Sequence, residues 1–226
     1  MVRRAENGTV SLAHLPPDNM QSPTLVQRGD IVWTETIRPV RAARLLSDSA
    51  ERIRPNRGQV VASGTLLFGI ELSTGTAFCP QIEYQAAVSR SQCFRDFDDD
   101  GDFDGGYLSR SRGLDSQYIT AFLHGLAPIS PLKYEHIEPD ESFNAQARFV
   151  FADIRRGYPR FRFFIEGERM ADLESCEPVE GRADECIVMG VHLRFEEVED
   201  SYQFTLISSP PIRYSGISVS NTGLTR

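Results

Sequence analysis

Ile187-Val188-Met189-Gly190-Val191-His192-Leu193-Arg194-Phe195-Glu196-Glu197-Val198-Glu199-Asp200-Ser201-Tyr202-Gln203-Phe204-Thr205-Leu206 is the stretch that decides the fold class. Apolar side chains stand at 187, 189, 191, 193 and 195, and again at 202, 204 and 206. Neighbouring side chains of a strand point to opposite faces, so this alternation marks half-buried strands; a helix would repeat about every 3.6 residues. The acidic segment 197–201 between the two runs reads as the turn of a β-hairpin. Arg194, Glu196 and Gln203 fall on the solvent face.

The same signature recurs upstream. Residues 31–37, which run Ile-Val-Trp-Thr-Glu-Thr-Ile, are rich in β-branched and aromatic types. Residues 60–72, 81–88, 118–124 and 134–137 continue the series. Arg148-Phe149-Val150-Phe151 and Arg160-Phe161-Arg162-Phe163 alternate polar with aromatic. Helical signals are scarce, with room for one short helix in 41–53 or 168–174. Short strands separated by Gly, Pro and Ser predict an all-β fold, an antiparallel β-sandwich of jelly-roll or Ig-like type. One domain is expected over 31–226. Residues 1–30 read as an extended lead-in broken by Asn7-Gly8, Pro16-Pro17 and Ser22-Pro23, with a short alternation at Val10 and Leu12. Such a lead-in is suited to adding a strand to a neighbour's sheet edge.

Charge narrows the partners. The formal net charge is −8, and six of the acidic residues lie between 96 and 104. Without them the balance is −8 + 6 = −2, so the acidity is one local cluster on a nearly neutral protein. That counts against a nucleic-acid binder, which needs a basic face for the phosphates. No apolar run approaches the roughly 18 residues of a membrane span. Residues 1–30 hold no signal-peptide core. Candidate partners are therefore other protein subunits or glycans.

Four cysteines fall into two local pairs, Cys79 with Cys93 and Cys176 with Cys186. Four cysteines permit three connectivities, of which local pairing is the simplest because each pair brackets a turn-rich segment. None is spaced as C-x-x-C, which argues against a zinc ribbon or a thioredoxin-type site. Two disulfides imply an oxidising compartment: secreted, periplasmic or cell-surface.

The sharpest motif follows Cys93: Cys-Phe-Arg-Asp-Phe-Asp-Asp-Asp-Gly-Asp-Phe-Asp-Gly-Gly-Tyr. Within it Asp96, Asp98, Asp100, Asp102 and Asp104 alternate around Gly101. Calcium is a hard cation that takes about 6–8 oxygens, and carboxylates at alternate positions of a tight loop converge on one centre. Gly101 sits where the loop turns sharply. Asp102 is expected to offer its backbone carbonyl, and Asp104 a side chain or a bridging water. Over these nine residues the chain resembles the calcium loops of EF-hands, dockerins, thrombospondin type 3 repeats and FG-GAP repeats. An EF-hand closes with Glu at its twelfth position, where this chain has Tyr107. The match is better to shorter loops that close with Asp at the ninth position. The resemblance implies Ca2+ as a structural cofactor that staples the loop.

No catalytic motif stands beside it. G-x-S-x-G and phosphate-binding glycine loops are absent. His14, His124, His136 and His192 are scattered, and Glu135, Glu138 and Glu166 are no more than chance expects in a chain with 32 acidic residues. Arg28-Gly29-Asp30 and Asn7-Gly8-Thr9 are patterns too short to carry weight. Trp33, Tyr84 and Tyr107 are the aromatics that would make a sugar platform if exposed. The expectation is an exported, non-enzymatic calcium-binding module in surface adhesion or extracellular assembly. The alternatives are a carbohydrate-binding module, or a hydrolase of unrecognised type.

Overall fold

The computed structural model describes residues 8–17, 19–49, 60–80, 90–110, 123–169 and 173–219. At strand residues 90–91, 109–110, 123–126, 168 and 217–219 it describes the backbone alone. The strand expected at 81–88 with Tyr84, most of the one at 118–124, the His124 side chain and Asn7 lie outside the described residues. The described residues form antiparallel strands and one 3₁₀ turn at Glu141–Phe143, with no α-helix among them. Among the described residues no helix is long and apolar enough to cross a membrane.

The chain divides into two compact units, each assembled from separated segments. The first takes residues 1–12, 39–143 and 216–226; the second takes 13–38 and 144–215.

The first unit contains a closed barrel. Strand Leu66–Leu72 pairs with Ala42–Leu45, which pairs with Leu123–Ile137, then Asp102–Arg110, Arg90–Arg95 and Gly75–Pro80, which returns to Leu66–Leu72. The expected sandwich does not describe this unit, because closure leaves these six strands no open edge. Ala43, Leu45, Leu67, Phe78, Phe94, Phe103 and Leu132 fill the interior, with Tyr134 packed against them. Phe103 and Tyr134 stack with ring centroids 3.8 Å apart. The segment considered for a helix instead supplies strand Ala42–Leu45, whose Ala42, Ala43 and Leu45 are buried. Residues 8–14 are also a strand, with Gly8 opposite Leu72, so this part of the lead-in is committed to the chain's own sheet.

The second unit has two antiparallel sheets. One orders Glu168–Arg169, Tyr158–Ile165, Ala145–Arg155 and Ile31–Pro39. Two-residue strands thus occupy the ends of 168–174, the other stretch considered for a helix. The other sheet orders Glu177–Val179, Arg182–Val188, Val191–Val198, Ser201–Ser208 and Thr24–Val26. Aromatics join them: Phe204 of the second sheet meets Phe151 at 5.3 Å and Phe161 at 5.6 Å in the first, where Trp33 also stacks on its strand neighbour Phe149 at 4.1 Å.

The hairpin that opened the reading is present, with one change of phase. Residues 187–195 are two strands, because Val188 pairs with Val191 across a turn of Met189 and Gly190 at φ of 46° and 79°. Left-handed turns of this kind match the twist of the strands they join. The turn resets the alternation, burying Val188 and leaving Ile187 40% exposed, where uninterrupted alternation put Ile187 on the core face. The next turn is tighter than 197–201, since Val198 pairs with Ser201.

Both expected disulfides are formed, Cys79–Cys93 and Cys176–Cys186. The first joins barrel strands Gly75–Pro80 and Arg90–Arg95; the second lies in the other unit. The pair fits an oxidising compartment.

Candidate metal centre

The acidic loop is the hairpin connection between barrel strands Arg90–Arg95 and Asp102–Arg110, with Arg95 opposite Gly105 at its base. Strands flank it where an EF-hand has helices. The position of the EF-hand's closing Glu is taken by Tyr107, which is buried and paired opposite Cys93.

Asp96 organises the loop. Its Oδ1 accepts the Asp99 N–H at 2.7 Å, and its Oδ2 accepts the Gly101 N–H at 2.9 Å and the Tyr134 hydroxyl at 3.1 Å. Asp99 and Gly101 take φ of 58° and 93°, the left-handed values that fold the chain back over this carboxylate. Asp100 Oδ1 accepts the Asp102 N–H at 2.9 Å. The result is that one oxygen each of Asp96, Asp98 and Asp100 lie within 4.8 Å of one another. Three carboxylate oxygens this close together could hold a metal ion.

The other two expected ligands are placed differently. The Asp102 carboxylate is engaged by Lys133 Nζ at 3.2 and 3.3 Å, which leaves its backbone carbonyl as the group to offer. Asp104 Oδ1 accepts the Phe97 N–H at 3.1 Å, leaving one carboxylate oxygen for a metal or its water.

Electrostatics point the same way. The charge of Asp100, then desolvation, then Asp104 and Asp96 push the Asp98 carboxyl above its usual range. Burial pushes Asp96 up as well, but hydrogen bonds from the Gly101 N–H, the Tyr134 hydroxyl and the Asp99 N–H outweigh it and hold Asp96 ionised below the usual range. Burial, and then the hydrogen bond to Asp96, push the Tyr134 hydroxyl up, keeping it a donor. Asp98 thus carries a charge its neighbours repel, which a bound cation would offset.

The other sequence candidates do not converge. Trp33 and Tyr107 are 1% and 2% exposed and offer no sugar platform. His136 packs on Tyr134 and Phe78. Glu135 pairs with Arg44 on the surface. His192 is partly buried and 2.9 Å from Glu185. Glu185 lies beneath Arg194 and Arg182, whose hydrogen bonds, with that of His192, hold its carboxyl down to about 2.

Sequence reasoning missed a buried ionic network in the second unit. His14 Nδ1 lies 2.5 Å from Glu35 Oε1, and His14 Nε2 lies 2.6 Å from Ser215 Oγ. Arg213 Nη2 donates to Glu35 Oε2, and Arg213 Nη1 donates to the Met189 carbonyl at 2.7 Å. Trp33 Nε1 approaches the same carboxylate at 3.4 Å. Serine, histidine and carboxylate stand in the order of a nucleophile, base and orienting acid. His14 is only 1% exposed, however, and Arg213 shares the carboxylate, so the arrangement is a structural clamp. A signal was present: Glu35 shares strand parity with Trp33 and Ile37, and His14 with Val10 and Leu12, which puts both polar side chains on core faces.

No protein-family model, curated protein or solved structure matches the chain.

Proposed function

We propose that this chain is an exported, non-enzymatic β module for surface adhesion or extracellular assembly, with a structural Ca2+ in the loop 96–104. The second unit is proposed as its sandwich-type part. The observation that carries the reading is the convergence of Asp96, Asp98 and Asp100, with Asp96 already held ionised by its hydrogen bonds. Asp96, Asp98 and Asp100 would hold the ion by side chains, with the Asp102 carbonyl and Asp104 completing the set. The ion would supply charge neutralisation and rigidity to a barrel hairpin that Cys79–Cys93 ties at its base. The two disulfides support export.

The test is thermal unfolding of the barrel with calcium, with chelator, and in Asp98→Ala/Asp100→Ala. Extracellular calcium sites have Kd values of about 10⁻⁴–10⁻³ M. At about 10 mM calcium and a Kd of about 10⁻⁴ M, mass action adds about 2.7 kcal/mol. For a unit of this size that raises the midpoint by roughly 5–15 °C. The double variant should lose the shift. No calcium-dependent shift at millimolar concentration removes the reading.

A further inference from the structure

We propose that the outward face of the second unit's first sheet, with the pocket at its end, binds an acidic polysaccharide. The proposal rests on the adhesion reading above and does not require the loop to hold calcium. Register gathers the charges. Arg148 stands opposite Phe164, Val150 opposite Arg162, and Asp153 opposite Arg160. Residues directly opposite each other share a face of the sheet. The alternate positions Phe149, Phe151, Phe161 and Phe163 are buried, so Arg148, Arg160 and Arg162 share the outward face. Past them Arg155 and Arg156 are exposed, and with Tyr158 and Arg160 they line a pocket of about 520 Å³. From Phe164 to Tyr158 the strand runs about 20 Å, the reach of a short chain of rings rather than of one.

Little in the unit answers this charge. Asp153 is the carboxylate on the face, and Arg160 takes both its oxygens, from Nε at 2.6 Å and Nη2 at 2.5 Å. That hydrogen bond, with the charges of Arg160, Arg28 and Arg162, outweighs burial and holds Asp153 below the usual carboxylate range, which places Arg28 and Arg162 within its field. Among the described residues Arg28, Arg148, Arg155, Arg156 and Arg162 form no ion pair. Arg148 Nε donates to the neutral Gln146 Oε1 at 2.9 Å. By contrast Arg182, Arg194 and Arg213 of the same unit each sit on a glutamate. The five unpaired arginines are exposed or half-buried, and none has a nitrogen buried without a partner, so their free N–H groups reach solvent. Like charges gathered this way repel one another, and an anionic partner would offset that. Guanidinium donors match the planar oxygens of carboxylates and the oxygens of sulfate esters.

The rest of the surface favours a sugar polymer over a nucleic acid. A single strand needs open rings on which its bases stack. Phe164 and Tyr158 are half-buried, and Tyr158 is held edge to face by Phe195 at 6.0 Å. Neutral hydroxyl groups stand beside the cations instead: Thr34 opposite Arg148, Thr36 opposite Gln146, and Ser175 in the pocket wall. Those suit the hydroxyls of sugar rings. The two disulfides fit an exported chain, which would meet acidic polysaccharides outside the cell.

The experiment is titration calorimetry of the full chain with heparin, in chelator and low salt, against neutral dextran and single-stranded DNA. Heparin should bind and dextran should not. DNA, with no open ring to stack on, should bind at least about tenfold more weakly. Arg155→Gln/Arg156→Gln and Arg148→Gln/Arg162→Gln should each weaken heparin binding by about tenfold or more, the effect of losing charge-assisted hydrogen bonds. Both should also make binding less sensitive to salt, because fewer counterions are released. Arg41→Gln/Arg44→Gln removes the same charge from the barrel, where both arginines are ion-paired, and should bind as wild type does. If the Arg148 and Arg162 variant fails to fold, the exposed Arg155 and Arg156 variant carries the comparison. Absence of heparin binding overturns the proposal. So does binding that survives the Arg155 and Arg156 change, that the barrel variant loses equally, or that DNA matches. The calcium-dependent melt is read separately: its loss with heparin binding intact sinks the metal reading alone, and the reverse sinks this one alone.

Discussion

Glu35→Gln is the substitution through which the second unit most directly reports its own energetics. The replacement keeps the shape of the side chain and removes its charge. In the native protein that carboxylate is fully buried, and the Arg213 side chain that pairs with it is 6% exposed. With the charge gone, Arg213 has only neutral acceptors, the Met189 carbonyl and the amide oxygen of the new side chain, while its Nε already lacks a partner. Breaking one side of a buried ion pair costs about 3–5 kcal/mol, because the remaining charge stays desolvated. Whole-domain stabilities are only about 5–15 kcal/mol, so the loss is a large share. Urea denaturation is the assay. Trp33, the single tryptophan, sits 3.4 Å from the carboxylate and reports this unit by fluorescence. With a urea slope of about 2 kcal/mol/M, the midpoint should fall by roughly 1.5–2.5 M. Adding Arg213→Met removes the stranded cation, and the double variant should recover a substantial part of the loss. A midpoint change under about 0.5 M, or a double variant as unstable as the two single effects summed, refutes the clamp.

Two further outcomes follow from the same contacts. The Glu185 carboxyl, held to about 2 by Arg194, Arg182 and His192, has a folded value below the ordinary 4.5. Its contribution is therefore complete above about pH 4.5 and disappears as pH falls towards about 2, where the native state also takes up the proton. Urea midpoints measured down that range should fall less steeply for Glu185→Gln than for wild type; parallel curves would refute the assignment. In the barrel, Cys79→Ala/Cys93→Ala opens a loop of sequence separation 14, which chain entropy values at about 3 kcal/mol. Circular dichroism during denaturation reads that loss, and a change under about 1 kcal/mol would show that the closed barrel already restrains the hairpin.

What was legible in the chain was local. Alternation at 191–195 and 202–206 needs only neighbouring residues, and it gave strands correctly. The acidic loop is nine consecutive residues, so its turn and the meeting of Asp96, Asp98 and Asp100 could be read directly from spacing. The disulfide partners are 14 and 10 residues apart, close enough for local pairing to be the simplest reading. Phase failed where the backbone of two residues decided it: the left-handed turn at Met189 and Gly190 reset the alternation and exposed Ile187.

The sequence by itself determined that the protein is built of antiparallel strands and carries one acidic hairpin loop. Only the tertiary structure decided that six strands close into a barrel, because closure depends on pairings such as Ala43 with His136, made between distant segments. It alone joined Glu35 to Arg213, 178 positions away, and turned two charged residues of unrelated strands into one buried clamp. It alone set Arg148, Arg160 and Arg162 on one face of a sheet. Side-chain periodicity records which face a residue presents, but the partner on that face is chosen by register between strands, and register is a property of the folded sheet.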